Sequence, residues 1–256
     1  MQKKGRIAGR FSLCFSLLFC ASVCGAKDQL SIAVATNFLV PLQSLAQEFS
    51  EHSEVDIRVT SGSTGKLVAQ LLLGAPHDVF FSADQERVEK LLHEGLAYAS
   101  SRFTYAIGQL VIWVPGKEIS GLPLLSFLCE ESDMIVIPNP KVAPYGRASE
   151  EVLQACPESF HKSTKLIVAE NVGQAYSFLE TSNARIGFVS LSYVKNSPDI
   201  APNSFKVIPE SMHTAIMQDA VMLKQSELSD QAEQFMTFVK SNRGKEIIHS
   251  FGYRTP

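Results

Sequence analysis

The sequence is poor in the groups that metal or nucleic-acid chemistry needs. It has no Cys-x-x-Cys and no His-Glu-x-x-His spacing, and its six histidines are scattered, which excludes the common zinc arrangements. No basic cluster and no stripe of basic and aromatic residues occurs, and Lys plus Arg (23) do not exceed Asp plus Glu (26), so a nucleic-acid partner is excluded. Low-complexity segments, long linkers and short-period repeats are missing too. Beyond the first 26 residues no apolar run approaches the roughly 18 residues of a membrane-spanning helix.

Cysteine is scarce, and its placement is informative. Three of the five cysteines, Cys14, Cys20 and Cys24, fall within residues 1–26. That segment reads as a secretory leader. Lys3, Lys4, Arg6 and Arg10 form a basic start, an apolar run extends from Phe11 to Val23, and small Gly25 and Ala26 precede Lys27-Asp28. Cleavage is expected after Ala26. Lipid attachment at Cys24 is the alternative, disfavoured by the bulk of Val23. Removing four basic and no acidic residues takes the formal net charge from −3 to −7. The remaining pair, Cys129 and Cys156, either forms one disulfide, worth about 3–4 kcal/mol on the chain-entropy model, or stays as two buried thiols.

What is present is a regular alternation of apolar runs and helical patterns. The 256 residues suit one large or two small domains. Leu30-Ser31-Ile32-Ala33-Val34 predicts a strand, and Leu42, Leu45, Ala46 and Phe49 predict a helix beginning near Pro41. Val55, Ile57 and Val59 predict the next strand. Leu67, Leu71 and Leu72 predict a short helix ended by Gly74 and Pro76. Val79-Phe80-Phe81 and a helix through Val88, Leu91 and Leu92 follow. Ile107 with Leu110-Val111-Ile112-Trp113-Val114 reads as one further strand. A second series starts at Met134-Ile135-Val136-Ile137 and continues through Leu166-Ile167-Val168 and Ile186-Gly187-Phe188-Val189. Two helices close the chain. Strands alternating with helices indicate α/β architecture with mostly parallel sheets, and two similar halves are the natural division.

Thr60-Ser61-Gly62-Ser63-Thr64-Gly65-Lys66-Leu67 lies at one of the strand-to-helix turns. The first N–H groups of a helix lack internal partners and the helix dipole makes that end positive, so small hydroxyl residues there can cradle an anion. A nucleotide P-loop is excluded: position 60 is not Gly, and Lys66 is followed by Leu67 rather than Ser or Thr. The Gly-x-Ser-x-Gly elbow of hydrolases does not fit Gly62-Ser63-Thr64-Gly65. A plain polar turn is the alternative. Three more helix entrances carry neutral donors: Thr36-Asn37, Tyr145-Gly146 and Val172-Gly173. Ordinary capping is the competing role for Thr36 and Asn37, and surface packing for Tyr145. Asn171 with Gln174 resembles a capping box. Asp84 is expected to cap a helix and Asp78 to anchor a loop rather than to act as catalytic acids. Lys66 and Arg147 lie a residue or two beyond the expected contacts. About six charge-assisted hydrogen bonds at about 1.5–3 kcal/mol each amount to about 9–18 kcal/mol before cleft closure is subtracted. Micromolar to nanomolar anion binding falls in that range without a cationic side chain.

Ala33-Val34-Ala35-Thr36-Asn37-Phe38, Gly62 to Leu67, Gly74-Ala75-Pro76-His77-Asp78 through Ser82-Ala83-Asp84, Ala169-Glu170-Asn171-Val172 and Phe251-Gly252-Tyr253 follow in order along nearly all of the chain after the leader. In these blocks the sequence resembles the periplasmic molybdate-binding proteins of ABC transporters. The resemblance implies a type II periplasmic binding protein fold: two α/β lobes joined by a hinge crossed twice, with residues 27–106 and 217–256 in one lobe and 107–216 in the other. It implies contact with an oxyanion by Asn37, Thr64, Tyr145 and the backbone of Val172, with Thr36 and Ser63 as neighbours. Many members have Ser at the Asn37 position and Tyr at the Ser190 position, so this chain moves its tyrosine to 145. The expectation is a periplasmic, monomeric, non-catalytic protein that captures molybdate or tungstate for a membrane permease and uses no cofactor or free metal cation. The alternatives are a binding protein for sulfate, phosphate or another tetrahedral oxyanion, and a secreted hydrolase. No nucleophile–base pair or metal cluster in the sequence supports the hydrolase.

Overall fold

The computed structural model describes residues 28–130, 134–181 and 183–256, so the expected leader and its expected cleavage site lie outside the described residues. Among the described residues ten strands form two sheets. The strands are β1 (Asp28–Ala35), β2 (Val55–Gly62), β3 (Val79–Phe81), β4 (Phe103–Gly108), β5 (Leu110–Trp113), β6 (Met134–Pro138), β7 (Lys165–Ala169), β8 (Gly187–Ser190), β9 (Phe205–Val207) and β10 (Ile216–Met222). The α-helices are α1 (Leu39–Glu51), α2 (Thr64–Leu72), α3 (Glu86–His93), α4 (Leu124–Glu130), α5 (Pro144–Leu153), α6 (Glu158–Ser163), α7 (Val172–Glu180), α8 (Leu191–Val194), α9 (Ser229–Lys240) and α10 (Asn242–Ser250).

The first sheet runs β2-β1-β3-β10-β4 and the second β7-β6-β8-β5-β9. In each, four strands point the same way and one is reversed: β10 is antiparallel to β3 and β4, and β5 to β8 and β9. The mostly parallel expectation therefore holds in both lobes, and the exceptions have one cause. β5 and β10 are the strands by which the chain enters a lobe from the other one, so they start at the edge where their neighbours finish. The apolar stretch from Ile107 to Val114, read above as one strand, is split at Gln109 into β4 and β5, which belong to different sheets. The second crossing runs from β9 to β10.

Strand periodicity explains the packing of the first lobe. Leu30, Ile32 and Val34 of β1 and Val79 and Phe81 of β3 face α1, α9 and α10 in one buried cluster. Ala33, Phe80 and Val221 face the opposite way, against Leu67, Val68, Leu71, Val88 and Leu91 of α2 and α3. A sheet covered on both faces needs apolar residues at successive positions, which is why Val79-Phe80-Phe81 is unbroken. Gly74, at φ +84°, ends α2 in the left-handed conformation that a side chain would strain. The second lobe buries Leu110 to Val114, Ile135 to Ile137 and Phe188-Val189 together with the apolar faces of α5 and α7. Cys129 and Cys156 are disulfide-bonded there, with Cα atoms 5.5 Å apart, which decides between the two alternatives left open above.

Candidate functional site

All four anticipated entrances lie at the ends of strands that face the other lobe. Thr36 opens a short 3₁₀ turn directly after β1, Thr64 opens α2 after β2, Pro144-Tyr145 open α5, and Val172 opens α7 after β7. Proline at the first position of α5 needs no N–H partner and already has helical φ, which favours the start there. The capping box at α7 forms with one change. Asn171 Oδ1 accepts from Gln174 N at 3.0 Å, while Gln174 Oε1 accepts from Glu170 N rather than from the cap's own N–H.

The lobes bring these ends together. Gly65 N, one residue into α2, donates to Val142 O of the other lobe at 2.9 Å. A Cβ added at Gly173 would lie 3.5 Å from Thr36 Cβ, so the start of α7 abuts the turn after β1. Asn37 reaches Tyr145 through one intermediary: Asn37 Nδ2 donates to Gln218 Oε1 at 2.8 Å, and Gln218 Nε2 donates to Tyr145 Oη at 3.4 Å. Thr36, Asn37, Ser63, Thr64, Tyr145 and Val172 thus sit around one interlobe region, and all but Thr36 are buried.

Their hydrogen bonds separate capping from the alternative. Ser63 occupies the N-cap position of α2 but makes no capping bond, and its buried Oγ has no hydrogen-bond partner. Burying a hydroxyl without a partner costs about 1–3 kcal/mol, so an ordinary cap does not account for this residue. Asn37 behaves differently. Its amide nitrogen is committed to Gln218 and to Tyr253 Oη (3.0 Å), which leaves its backbone N–H, in the first turn of the 3₁₀ segment, as the donor it can offer. Tyr145 is 1% exposed, and burial pushes its phenol pKa well above the ordinary value, so it is held as a neutral donor. Gly108 of β4 forms the wall behind it; a Cβ there would stand 2.3 Å from Tyr145 Oη and 2.6 Å from Gln218 Nε2.

Several participants were not singled out from the sequence. Ser192 Oγ and Tyr193 Oη, on α8, donate to the carbonyls of Asn37 (2.8 Å) and Thr36 (2.7 Å), fixing the two peptide groups at the site. Tyr105 Oη donates to Gln218 Oε1 at 2.9 Å. One signal was legible: Gln218-Asp219 interrupts an otherwise apolar stretch, and β10 carries an irregularity between these two residues. Ser190, at the end of β8, donates to Tyr145 Oη at 3.0 Å.

The cations nearest the site are engaged with carboxylates. Lys66 pairs with Glu170 across the cleft at 2.8 Å, and Arg147 bridges from α5 to Asp84 (2.7 Å) and Glu86 of the other lobe. Asp84 also accepts from Arg87 N at 3.1 Å near the start of α3, as a capping residue does. Asp78 accepts from Ser31 N (2.7 Å) and Ser226 Oγ (2.8 Å), holding the loop before β3.

Two α/β lobes, crossed twice by the chain and closing helix amino termini on a region lined by uncharged donors, have the architecture of a solute-binding protein. The model of the family described as bacterial extracellular solute-binding protein matches residues 30–254, and the chain belongs to that family. It is 34% identical over 240 residues to the molybdate-binding protein ModA of Azotobacter vinelandii, covering 93% of each chain. It is 35% identical over 233 residues to ModA of Rhodobacter capsulatus, covering 90% of each. The solved structure of the Azotobacter vinelandii periplasmic molybdate-binding protein matches at a TM-score of 0.82 and 37% identity, over 89% of this chain and 99% of that one.

Proposed function

We propose that this protein captures molybdate, or the near-isosteric tungstate, between its lobes and delivers it to the membrane permease of an ABC transporter. The observation that carries the reading is the buried Ser63 hydroxyl with no partner at a helix amino terminus, where Lys66 and Arg147 are engaged with carboxylates. A fully ionised tetrahedral oxyanion supplies the acceptors such donors lack. The donors assigned to it are the Ser63 and Thr64 hydroxyls, Tyr145 Oη, the Thr36 hydroxyl, and the backbone N–H groups of Asn37 and Val172. Six such bonds match the energy worked from the sequence, about 9–18 kcal/mol before closure. Closure follows ligand contact because each lobe alone presents only part of the donor set.

The protein acts as a monomer in the periplasm, performs no chemistry on its ligand and needs no cofactor. Ser31 Oγ lies 2.9 Å from His77 Nδ1, a pairing hydrolases use, but Asp78 spends its carboxylate on Ser31 N and Ser226 rather than on His77. Discrimination from sulfate rests on cavity size, since charge and shape are alike. Isothermal titration of the mature protein is expected to give micromolar or tighter molybdate binding, with sulfate at least about a hundredfold weaker. Equal affinities would refute the size argument, and no binding of either would refute the reading.

A further inference from the structure

We propose that Tyr193 positions one of the ligand's donors from the opposite lobe: it holds the carbonyl of the Thr36–Asn37 peptide and so aims the N–H at the other end of that peptide once the lobes meet. The inference rests on the cleft being an oxyanion site with the Asn37 N–H among its donors.

A trans peptide is planar, and its C=O and N–H point in opposite directions. Fixing the Thr36 carbonyl therefore fixes the Asn37 N–H. Within the turn, Thr36 O accepts from Leu39 N. From the other lobe it accepts from Tyr193 Oη at 2.7 Å. A carbonyl can only accept, so the shared proton is the phenol's, and both acceptor positions of Thr36 O are filled. Burial raises the Tyr193 phenol above its ordinary pKa, which keeps that proton in place. The segment that carries the peptide is a 3₁₀ turn of three residues, whose own hydrogen bonds are poorly aligned. An outside partner is what gives its peptides a fixed direction. An accepting carbonyl also polarises its peptide and makes the N–H a stronger donor.

The second lobe is built to deliver this hydroxyl. The Tyr193 ring, on α8, stacks on Tyr176 of α7 with centroids 4.9 Å apart, and Tyr176 stacks on Trp113 of β5 at 5.3 Å. The pile of three rings thus stands on a strand in the interior of its sheet. Gly173, in the first turn of α7, leaves the passage open: a Cβ there would lie 2.9 Å from Tyr193 Oη. The neighbouring Ser192 is a contrast. Its Oγ donates to Asn37 O at 2.8 Å, but Tyr253 Oη, from the core of the first lobe, donates to the same oxygen at 2.6 Å. The Asn37 carbonyl is therefore held from within its own lobe, whereas the side chain that holds the Thr36 carbonyl comes from across the cleft.

Tyr193→Phe removes the hydroxyl and keeps the ring pile. Molybdate titration and stopped-flow binding, with ¹H–¹⁵N spectra of the bound protein, test the proposal. The spectra compare the amide of Asn37 with that of Val172, a donor carried by the other lobe. The variant is expected to bind about three- to tenfold more weakly, with the change in the dissociation rate and the association rate unaltered. The bound Asn37 amide signal is expected to move and the Val172 signal to stay. An unchanged Kd would overturn the inference, as would a loss carried by slower association. Equal movement of both amides would mean that the hydroxyl merely helps to hold the lobes shut, and would overturn it too. Should Tyr193→Phe fail to fold by circular dichroism, Tyr193→Met is put through the same measurements, with the same outcomes deciding. A wild-type protein that binds no oxyanion would refute the binding reading and the inference with it. Wild-type binding that leaves the Asn37 amide signal where it is without molybdate would refute the inference alone.

Discussion

Replacing Ser63 by alanine separates a ligand donor from a helix cap, because the two roles give opposite signs. Ser63 sits at the N-cap of α2, yet no capping bond forms and its Oγ is buried without a partner. If the residue capped the helix, Ser63→Ala would destabilise the ligand-free protein by about 0.5–2 kcal/mol and leave affinity nearly untouched. The geometry leads to the reverse. Removing a buried, unpaired hydroxyl relieves part of a cost of about 1–3 kcal/mol. The ligand-free variant is therefore expected to be more stable by about 1 kcal/mol, a rise in Tm of about 2–4 °C for a chain of this size. The lost charge-assisted bond to the oxyanion is expected to weaken binding by about 1.5–3 kcal/mol, roughly 10- to 150-fold in Kd. Thermal melts with and without molybdate, together with isothermal titration, read both quantities. Because a ligand stabilises by RT ln(1 + [L]/Kd), the molybdate-induced rise in Tm must shrink in the variant at fixed ligand concentration. A lower ligand-free Tm with an unchanged Kd would refute the reasoning.

Arg147→Met removes the bridge from α5 to Asp84 and Glu86 of the other lobe; the arginine side chain is 39% exposed, so the pairs contribute only about 1 kcal/mol together. Titration is expected to show a Kd about fivefold higher and less sensitive to ionic strength than that of the wild type. Reducing the Cys129–Cys156 disulfide, which spans 27 residues, is expected to lower stability by about 3.5 kcal/mol in urea unfolding under reducing conditions. Both cysteines belong to the second lobe, away from the interlobe donors, so molybdate titration below the unfolding transition should change little. Tyr105, Tyr145 and Tyr253 all have pKa values raised chiefly by burial. Above about pH 10 the unfolded chain releases phenol protons that the folded one retains, so stability is full below that pH and falls as pH rises beyond it. Urea midpoints measured across the alkaline range should decline, and a flat profile would show that the three phenols are hydrated.

Local patterns made the lobes and the four helix entrances legible. The alternation in Val55, Ile57 and Val59, the apolar spacing of α1 and the Gly74 stop each act within a few residues, and each produced the element it implied. The break at Gln109 was not legible as local structure. Ile107 and Leu110 to Val114 are equally apolar whether they continue one strand or supply two sheets, and the choice depends on partners such as Arg254, which exchanges backbone bonds with Ile107 from the far end of the chain. Asn37 shows the same limit at the site. Its type and position pointed to a ligand contact, but Gln218 and Tyr253, 181 and 216 residues away, take both of its side-chain protons and leave the backbone donor.

By itself the sequence determined which segments become strands and helices and which small donors stand at helix entrances, because hydrophobic period, capping chemistry and glycine conformation are interactions between near neighbours. Only the tertiary structure decided that the entrances of two lobes meet, that β5 and β10 run against their sheets, and that Ser63 stays unpaired while Asn37 does not. Those outcomes depend on hydrogen bonds between residues far apart in the chain, and a donor's partner is known only once the fold has placed it.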